Sequence, residues 1–122
     1  MNVLCISCHP DDMEISCGGT LVKCVERGDK VTVCHVCNGN MGHEVIKPDE
    51  LRLLRKKEAE RGSAMGGMEV VTIDIGDLLA DGASMSKKIL PLLTSKRCLM
   101  PIASICLAEV VAFFSPISSP LR

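Results

Sequence analysis

The sequence of 122 residues has no tryptophan and no tyrosine, and its aromatic side chains are two phenylalanines. It therefore lacks the flat apolar platforms on which single-stranded nucleic acids stack. It also lacks an excess of positive charge: Lys plus Arg number 14 against 15 Asp plus Glu, a formal net charge of −1. A chain balanced in this way makes no field that gathers polyphosphate or an anionic membrane surface, and the two absences together argue against a nucleic-acid partner. Met1 to Cys8 shows neither a basic start nor an apolar run of secretory length, so export is not expected. That bears on the eight cysteines. In a short exported chain they would predict a disulfide framework; here they read as reduced thiols of a cytoplasmic protein, several standing where a small buried hydrophobe is expected.

What is present is apolar patterning, 47% of the residues, enough for one core of modest size. Val3 to Cys8 is a short apolar run stopped by His9-Pro10. Val31 to Cys37 is β-branched and ends in Asn38-Gly39, and Val70 to Ile75 is a third such run. All three read as buried strands. Between the first two, Met13 to Arg27 places Leu21, Val22 and Val25 at helical spacing and stops at Gly28, which suits a C-terminal cap. Between the second and third, Pro48 opens a helix over Asp49 to Met65 that Gly66-Gly67 ends. Strand, helix, strand, helix, strand with right-handed crossovers predicts an α/β fold: a doubly wound, Rossmann-like three-layer arrangement around a mostly parallel sheet.

Ser84 to Leu93 suits a third helix, after which the pattern changes. Residues 1–95 are read as one α/β region and 96–122 as a divergent apolar tail, as though the domain were cut short or altered after about residue 95. From Cys98 to Ile117 the chain is almost uncharged, a helix or strand finishing the core. The span is near a membrane-crossing length of about 20 residues, but Glu109 inside it and Pro101 near its start argue against that role. There is no internal repeat and no low-complexity linker.

Polar residues gather where a parallel sheet collects its ligands, at the carboxyl ends of the strands. His9-Pro10-Asp11-Asp12 follows the first strand, Asn38 to His43 the second, and Asp74 and Asp77 the third. His9 and Asp12 stand three apart across a proline that holds the turn. An imidazole nitrogen and a carboxylate oxygen so placed can share a cation about 2 Å from each, leaving Asp11 as a nearby base. Acidic residues at a helix start also serve as simple caps, and the motif alone leaves both readings open.

The wider pattern resembles a known family. His9-Pro10-Asp11-Asp12-x-Glu14, Gly18-Gly19-Thr20, Gly28-Asp29-Lys30-Val31 leading into a strand, Asn38-Gly39-x-x-Gly42 and Arg55-x-x-Glu58 follow in order and at similar spacing to the N-terminal half of the LmbE and PIG-L deacetylases, from about Asn2 to Leu90. The resemblance implies a Rossmann-like fold and hydrolytic removal of acetyl from an N-acetylglucosamine-containing molecule, a small substrate or a glycoconjugate, with Zn2+ as cofactor. It implies His9 and Asp12 as zinc ligands and Asp11 as the general base, later the acid that protonates the leaving amine. Glu14, Arg55 and Asp77 resemble positions near the substrate. Arg55 also fits a solvated basic face with Arg52, Lys56 and Lys57. Gly18 and Gly19 suit close helix packing better than phosphate binding, because Gly-x-Gly-x-x-Gly is absent.

The sequence departs from the family after Leu90. The family's third zinc ligand comes from a His-x-x-His segment after the fourth strand, and this chain has His9, His35 and His43 alone. His35 falls within a strand and reads as a core or sheet-face residue; His43 lies on the correct edge to stand in as ligand or substrate contact. Little activity is therefore expected of the chain as given, and a sheet of few strands would favour association into a homo-oligomer. Two other readings are a non-catalytic remnant that binds a sugar or a partner, and a Cys-x-x-Cys metal or c-type haem protein, since Cys5-x-x-Cys8-His9 and Cys34-x-x-Cys37 have that spacing. Side chains three apart in a strand point to opposite faces, so neither pair can clamp one metal.

Overall fold

The computed structural model describes residues 1–96 and 100–104. In chain order the elements are β1 (Asn2–Ser7), α1 (Asp12–Ser16), α2 (Gly18–Glu26), β2 (Lys30–Cys37), α3 (Pro48–Met65), β3 (Glu69–Ile75), α4 (Gly82–Lys96) and β4 (Met100–Ser104). The strands form one sheet in the order β3-β2-β1-β4. Every described pairing is parallel, with Val3 opposite Val31 and Met100, and Val33 opposite Val70. The α/β architecture expected from the alternation of runs is present. The strand bounds differ from the sequence reading by about a residue, which is the ordinary uncertainty of such limits.

Alternation along each strand divides the core into two layers. Val3, Cys5, Val31 and Val33 face α1 and α2, where Met13, Leu21 and Cys24 complete one buried cluster. Leu4, Cys34 and Val36 face the other way, with Ile73, Ile75, Met85 and Ile89. Met85 and Ile89 belong to α4, so the sheet is covered on both sides. Leu4 and Leu21 are fully buried, and each contributes about 1.5–3 kcal/mol through removal from water.

Helix ends follow the glycines. Gly28 has a φ of +89°, with Gly28 N–H donating to the Val25 carbonyl and Asp29 N–H to the Cys24 carbonyl. Gly67, at φ +69°, repeats the pattern after α3: its N–H reaches the Ala64 carbonyl and Met68 N–H reaches the Ser63 carbonyl. Both are Schellman closures, in which a left-handed residue lets the chain turn back on the last carbonyls.

Two expectations need correction. Met13 to Arg27 is not one helix: the chain breaks at Cys17, whose φ of −145° and ψ of 8° lie outside the helical region, and resumes at Gly18. The Cys17 thiol lies 3.7 Å from that of Cys5 on the sheet, a tertiary contact invisible to helical periodicity. Gly18 and Gly19 do not mediate close packing, since a Cβ on Gly19 would meet open space and one on Gly18 only an ordinary contact with the Met13 carbonyl at 3.6 Å. A fourth strand, Met100–Ser104, pairs with β1, in keeping with the helix or strand expected to finish the core. It falls inside the uncharged Cys98 to Ile117 segment, and the rest of that segment lies outside the described residues. Among the described residues no helix is long and apolar enough to cross a membrane.

The strand order positions the site. From β1 the chain moves to β2 and β3 on one side, then returns past β1 to place β4 on the other. The reversal point is therefore beside β1, and ligands of open parallel sheets gather outside the carboxyl ends of strands at such a point. His9-Pro10-Asp11-Asp12 leaves β1 there.

Candidate active site

The three loops predicted to converge do so, and hydrogen bonds fasten them. Cys37 N–H donates to the Cys8 carbonyl at 2.7 Å and Asn38 N–H to the Ile75 carbonyl at 2.9 Å, extending the strand pairing into the loops. The Asp77 carboxylate accepts Gly39 N–H at 3.0 Å and Met41 N–H at 3.1 Å, while Asp77 N–H donates to Asn40 Oδ1 at 2.9 Å. Asp77 is thus a structural tie between the loops after β2 and β3. Beyond it, Leu78 sits at φ +66° and is 91% exposed, a left-handed conformation that a bulky residue adopts only under constraint.

His9 stands between two carboxylates. Its Nδ1 lies 3.6 Å from Asp12 Oδ2 and its Nε2 lies 3.5 Å from Asp77 Oδ1. Asp12 Oδ2 also accepts His9 N–H at 2.8 Å, so the loop closes on itself and holds the carboxylate beside the ring. Two ligands about 2 Å from a tetrahedral zinc lie about 3.3 Å apart, so the Nδ1–Oδ2 pair fits such an ion with little adjustment. Asp77 beside the opposite ring nitrogen suits the carboxylate partner that commonly fixes the tautomer of a metal-binding histidine.

Asp11 occupies the helix-start position of α1 without capping it through its side chain. Its carboxylate instead takes a hydrogen bond from Arg55 Nη2 at 2.7 Å and remains half exposed. The simple-cap reading therefore fails for Asp11, and the solvated-face reading fails for Arg55. Burial pulls the Arg55 guanidinium down, but hydrogen bonds and charge from Asp11 and Glu58 more than offset this, so the group stays firmly cationic. One turn earlier on α3, Arg52 pairs with Asp74, which also accepts Asn38 Nδ2 at 3.1 Å. The Arg52 contact holds the Asp74 carboxyl below its usual range. In the sequence Arg52 read only as part of a solvated basic face, and its pairing with Asp74, 22 residues on, carries no local signal.

His35 is fully buried in β2 as a sheet-face residue, and burial pushes its pKa down. Its Nδ1 lies 2.7 Å from Ser7 Oγ and 3.1 Å from the His9 carbonyl, while Nε2 has no hydrogen-bond partner among the described residues. A neutral ring protonated on Nδ1 fits this: it donates to the His9 carbonyl and so positions the loop from below.

Two other expected residues stand outside the His9–Asp12–Asp77 contacts. Glu14 is exposed and lines an open groove with Ile15 to Thr20 and Lys23, while its charge still acts on the buried His35. His43 is exposed, and its Nδ1 accepts Val45 and Ile46 N–H, each at 3.1 Å. Among the described residues, His43 joins no cluster of metal-binding side chains.

The family model of PIG-L, the GlcNAc-PI de-N-acetylases, matches residues 4–113. This chain belongs to the PIG-L family. Diacetylchitobiose deacetylase of Thermococcus kodakarensis is 36% identical over 78 residues, which are 62% of this chain and 29% of that protein. The solved N,N'-diacetylchitobiose deacetylase from Pyrococcus horikoshii superposes with a TM-score of 0.75 at 30% identity, over 80% of this chain and 38% of that one. The present PIG-L chain thus spans well under half the length of these relatives. A further superposition shows the fold alone: the hydratase GalB of Pseudomonas putida KT2440 gives a TM-score of 0.75 at 18% identity, over 82% of this chain and 45% of that one. One backbone frame carries different reactions, so the activity must be argued from the residues at the edge.

Proposed function

We propose that this chain carries the metal-binding and base-bearing part of a zinc-dependent deacetylase acting on an N-acetylglucosamine-type substrate. The observation that carries the reading is the pairing of His9 Nδ1 with Asp12 Oδ2 at 3.6 Å beside the half-exposed Asp11 carboxylate, at the switch point of the sheet. The substrate class rests on the relatives, two of which are diacetylchitobiose deacetylases by name. Held by His9 and Asp12, zinc would polarise the acetyl carbonyl and bring the pKa of water to about 7. Asp11 takes the proton from the attacking water as the bond to the acetyl carbon forms. It returns that proton to the sugar nitrogen as the C–N bond breaks, giving acetate and a free amine. Arg55 orients the Asp11 carboxylate through the 2.7 Å hydrogen bond.

The second reading, a chain that binds a sugar or partner and hydrolyses nothing, is favoured by the absence of any histidine after His43. A hydrolytic zinc site commonly takes three protein ligands, and His9 with Asp12 supplies two. The 122-residue chain should therefore hold zinc weakly and turn over slowly, losing about 10²–10³ in rate for a missing transition-state stabiliser alone. The test saturates the purified chain with zinc and assays amine release from diacetylchitobiose beside the Thermococcus enzyme. Detectable turnover that disappears in His9→Ala supports the deacetylase; sugar binding with no turnover supports the second reading.

A further inference from the structure

We propose that Cys8 Sγ, Cys37 Sγ and His9 Nε2 form a second metal site, for a thiophilic divalent cation, distinct from the His9–Asp12 pair. Each Cys-x-x-Cys segment is unable to clamp a metal by itself, but one cysteine of each meets the other across two strands. Strand alternation would put Cys37 on the face of Val31, Val33 and His35, away from Cys8. Instead Cys37 joins Cys34 and Val36 in the cluster on the opposite face, against which Cys8 also packs. Beside it the register of β2 against β3 slips, His35 standing opposite Thr72 and Cys37 opposite Ile75, so that the extra residue is on β3. Slips of this kind concentrate beside functional sites.

The resulting donor set has the dimensions of a tetrahedral site. The two thiol sulfurs are 3.8 Å apart, and Cys8 Sγ is 3.9 Å from His9 Nε2. The three donor atoms all lie within 4.8 Å of one another. With metal–sulfur legs of about 2.3 Å and a metal–nitrogen leg of about 2.0 Å, tetrahedral angles require about 3.8 Å between sulfurs and about 3.5 Å from sulfur to nitrogen. A sulfur-rich set of this kind selects soft cations over magnesium or calcium, with water completing the fourth position. Each thiol gives up its proton on binding.

The site competes with the first for one imidazole. A ring that gives Nε2 to a cation keeps its proton on Nδ1, where Asp12 can only accept it. Occupation by a thiophilic ion therefore withdraws His9 from the His9–Asp12 pair. The inference rests on the thiol geometry and not on deacetylase activity.

Cobalt(II) and cadmium(II), added to the reduced full chain, are the probes. Cobalt should give an intense thiolate charge-transfer band with one equivalent bound, lost in Cys8→Ser and in Cys37→Ser but kept in Asp12→Ala and in the Cys98→Ser/Cys106→Ser double variant. Persistence of the band in both Cys8→Ser and Cys37→Ser, or its loss only with the Cys98 and Cys106 thiols, overturns the site. Cadmium X-ray absorption on the unmutated chain guards against variants that misfold. Two sulfurs with nitrogen and oxygen in the first shell support the proposal, while a shell without sulfur or with four sulfurs refutes it. Failure of deacetylase activity with the band intact would strike the proposed function and leave this site standing.

Discussion

The loop after β1 and the paired loops after β2 and β3 share one edge of the sheet, yet they are held in opposite ways. The paired loops are stitched through Asp77 and Asn40 by three hydrogen bonds between side chain and backbone, and the Asp77 side chain is 11% exposed. The loop after β1 carries the proposed reactive side chains nearer the open: its backbone is held from below by Cys37 and His35, while the side chains are held by Asp12 closing on the His9 backbone and by Arg55 reaching over from α3. The difference separates a fixed platform from a loop whose side chains can meet substrate. Mutations in the first should be felt as stability, and mutations in the second as chemistry.

The largest effect is expected on the chemical side. In a chimaera joining residues 1–104 to the remainder of the Thermococcus relative, Asp11→Asn should lower turnover by about 10²–10⁴, the usual contribution of a general base. Zinc content and melting temperature should stay at parental values. A rate within a few-fold of the parent would move the base elsewhere.

On the platform side, Asp77→Ala leaves Gly39 and Met41 N–H without their carboxylate acceptor. Hydrogen bonds to a charged group contribute about 1.5–3 kcal/mol each, so urea unfolding should show a loss of about 2–4 kcal/mol. A loss below about 0.5 kcal/mol would mean that the loops are held by the strand pairing alone.

Arg55→Met tests the contact that ties the loop after β1 to α3. The Arg55–Asp11 pair is partly exposed, and removing it should cost about 0.5–1 kcal/mol of stability. The chimaera's turnover should fall further than that stability change accounts for. Equal rates in Arg55→Met and parent would make the pair a surface contact without a role in orienting Asp11.

The smallest effect is one of pH. His35 has its pKa lowered by burial, so below about 6.5, its ordinary value, the unfolded chain takes up a proton that the folded chain resists. The His35 contribution is complete above that value and is lost as pH falls toward the folded pKa. His35→Gln should flatten this limb of the stability curve, measured by urea midpoints across the range. An unchanged slope would assign the acid sensitivity to other groups.

Much of this was legible in one dimension because its causes are local. Apolar runs gave the first three strands, Pro48 and the glycines at positions 28 and 67 gave helix limits, and the His9 to Asp12 spacing placed two donors on one turn. What stayed hidden depends on neighbours distant in sequence. The meeting of Cys37 with Cys8 joins residues 29 apart on neighbouring strand ends, and the break at Cys17 accompanies a contact with Cys5 on the sheet. The Arg52–Asp74 pair joins a helix to a strand end 22 residues on. Periodicity within a segment contains no term for such pairs.

The position of β1 in the sheet sets an order of assembly. Val3 pairs with Val31 on one side and with Met100 on the other, so one neighbour is close along the chain and the other is about a hundred residues away. During synthesis from the N-terminus, β1, β2 and β3 can join into a platform with all three loops in register before Met100 leaves the ribosome. Until β4 docks, β1 is an edge strand, its unpaired N–H and C=O groups bare next to His9-Pro10-Asp11-Asp12. The strand that bears the reactive turn is thus the last to be closed in, and any delay in translating the segment beyond α4 prolongs the interval in which it is open to pairing with another chain.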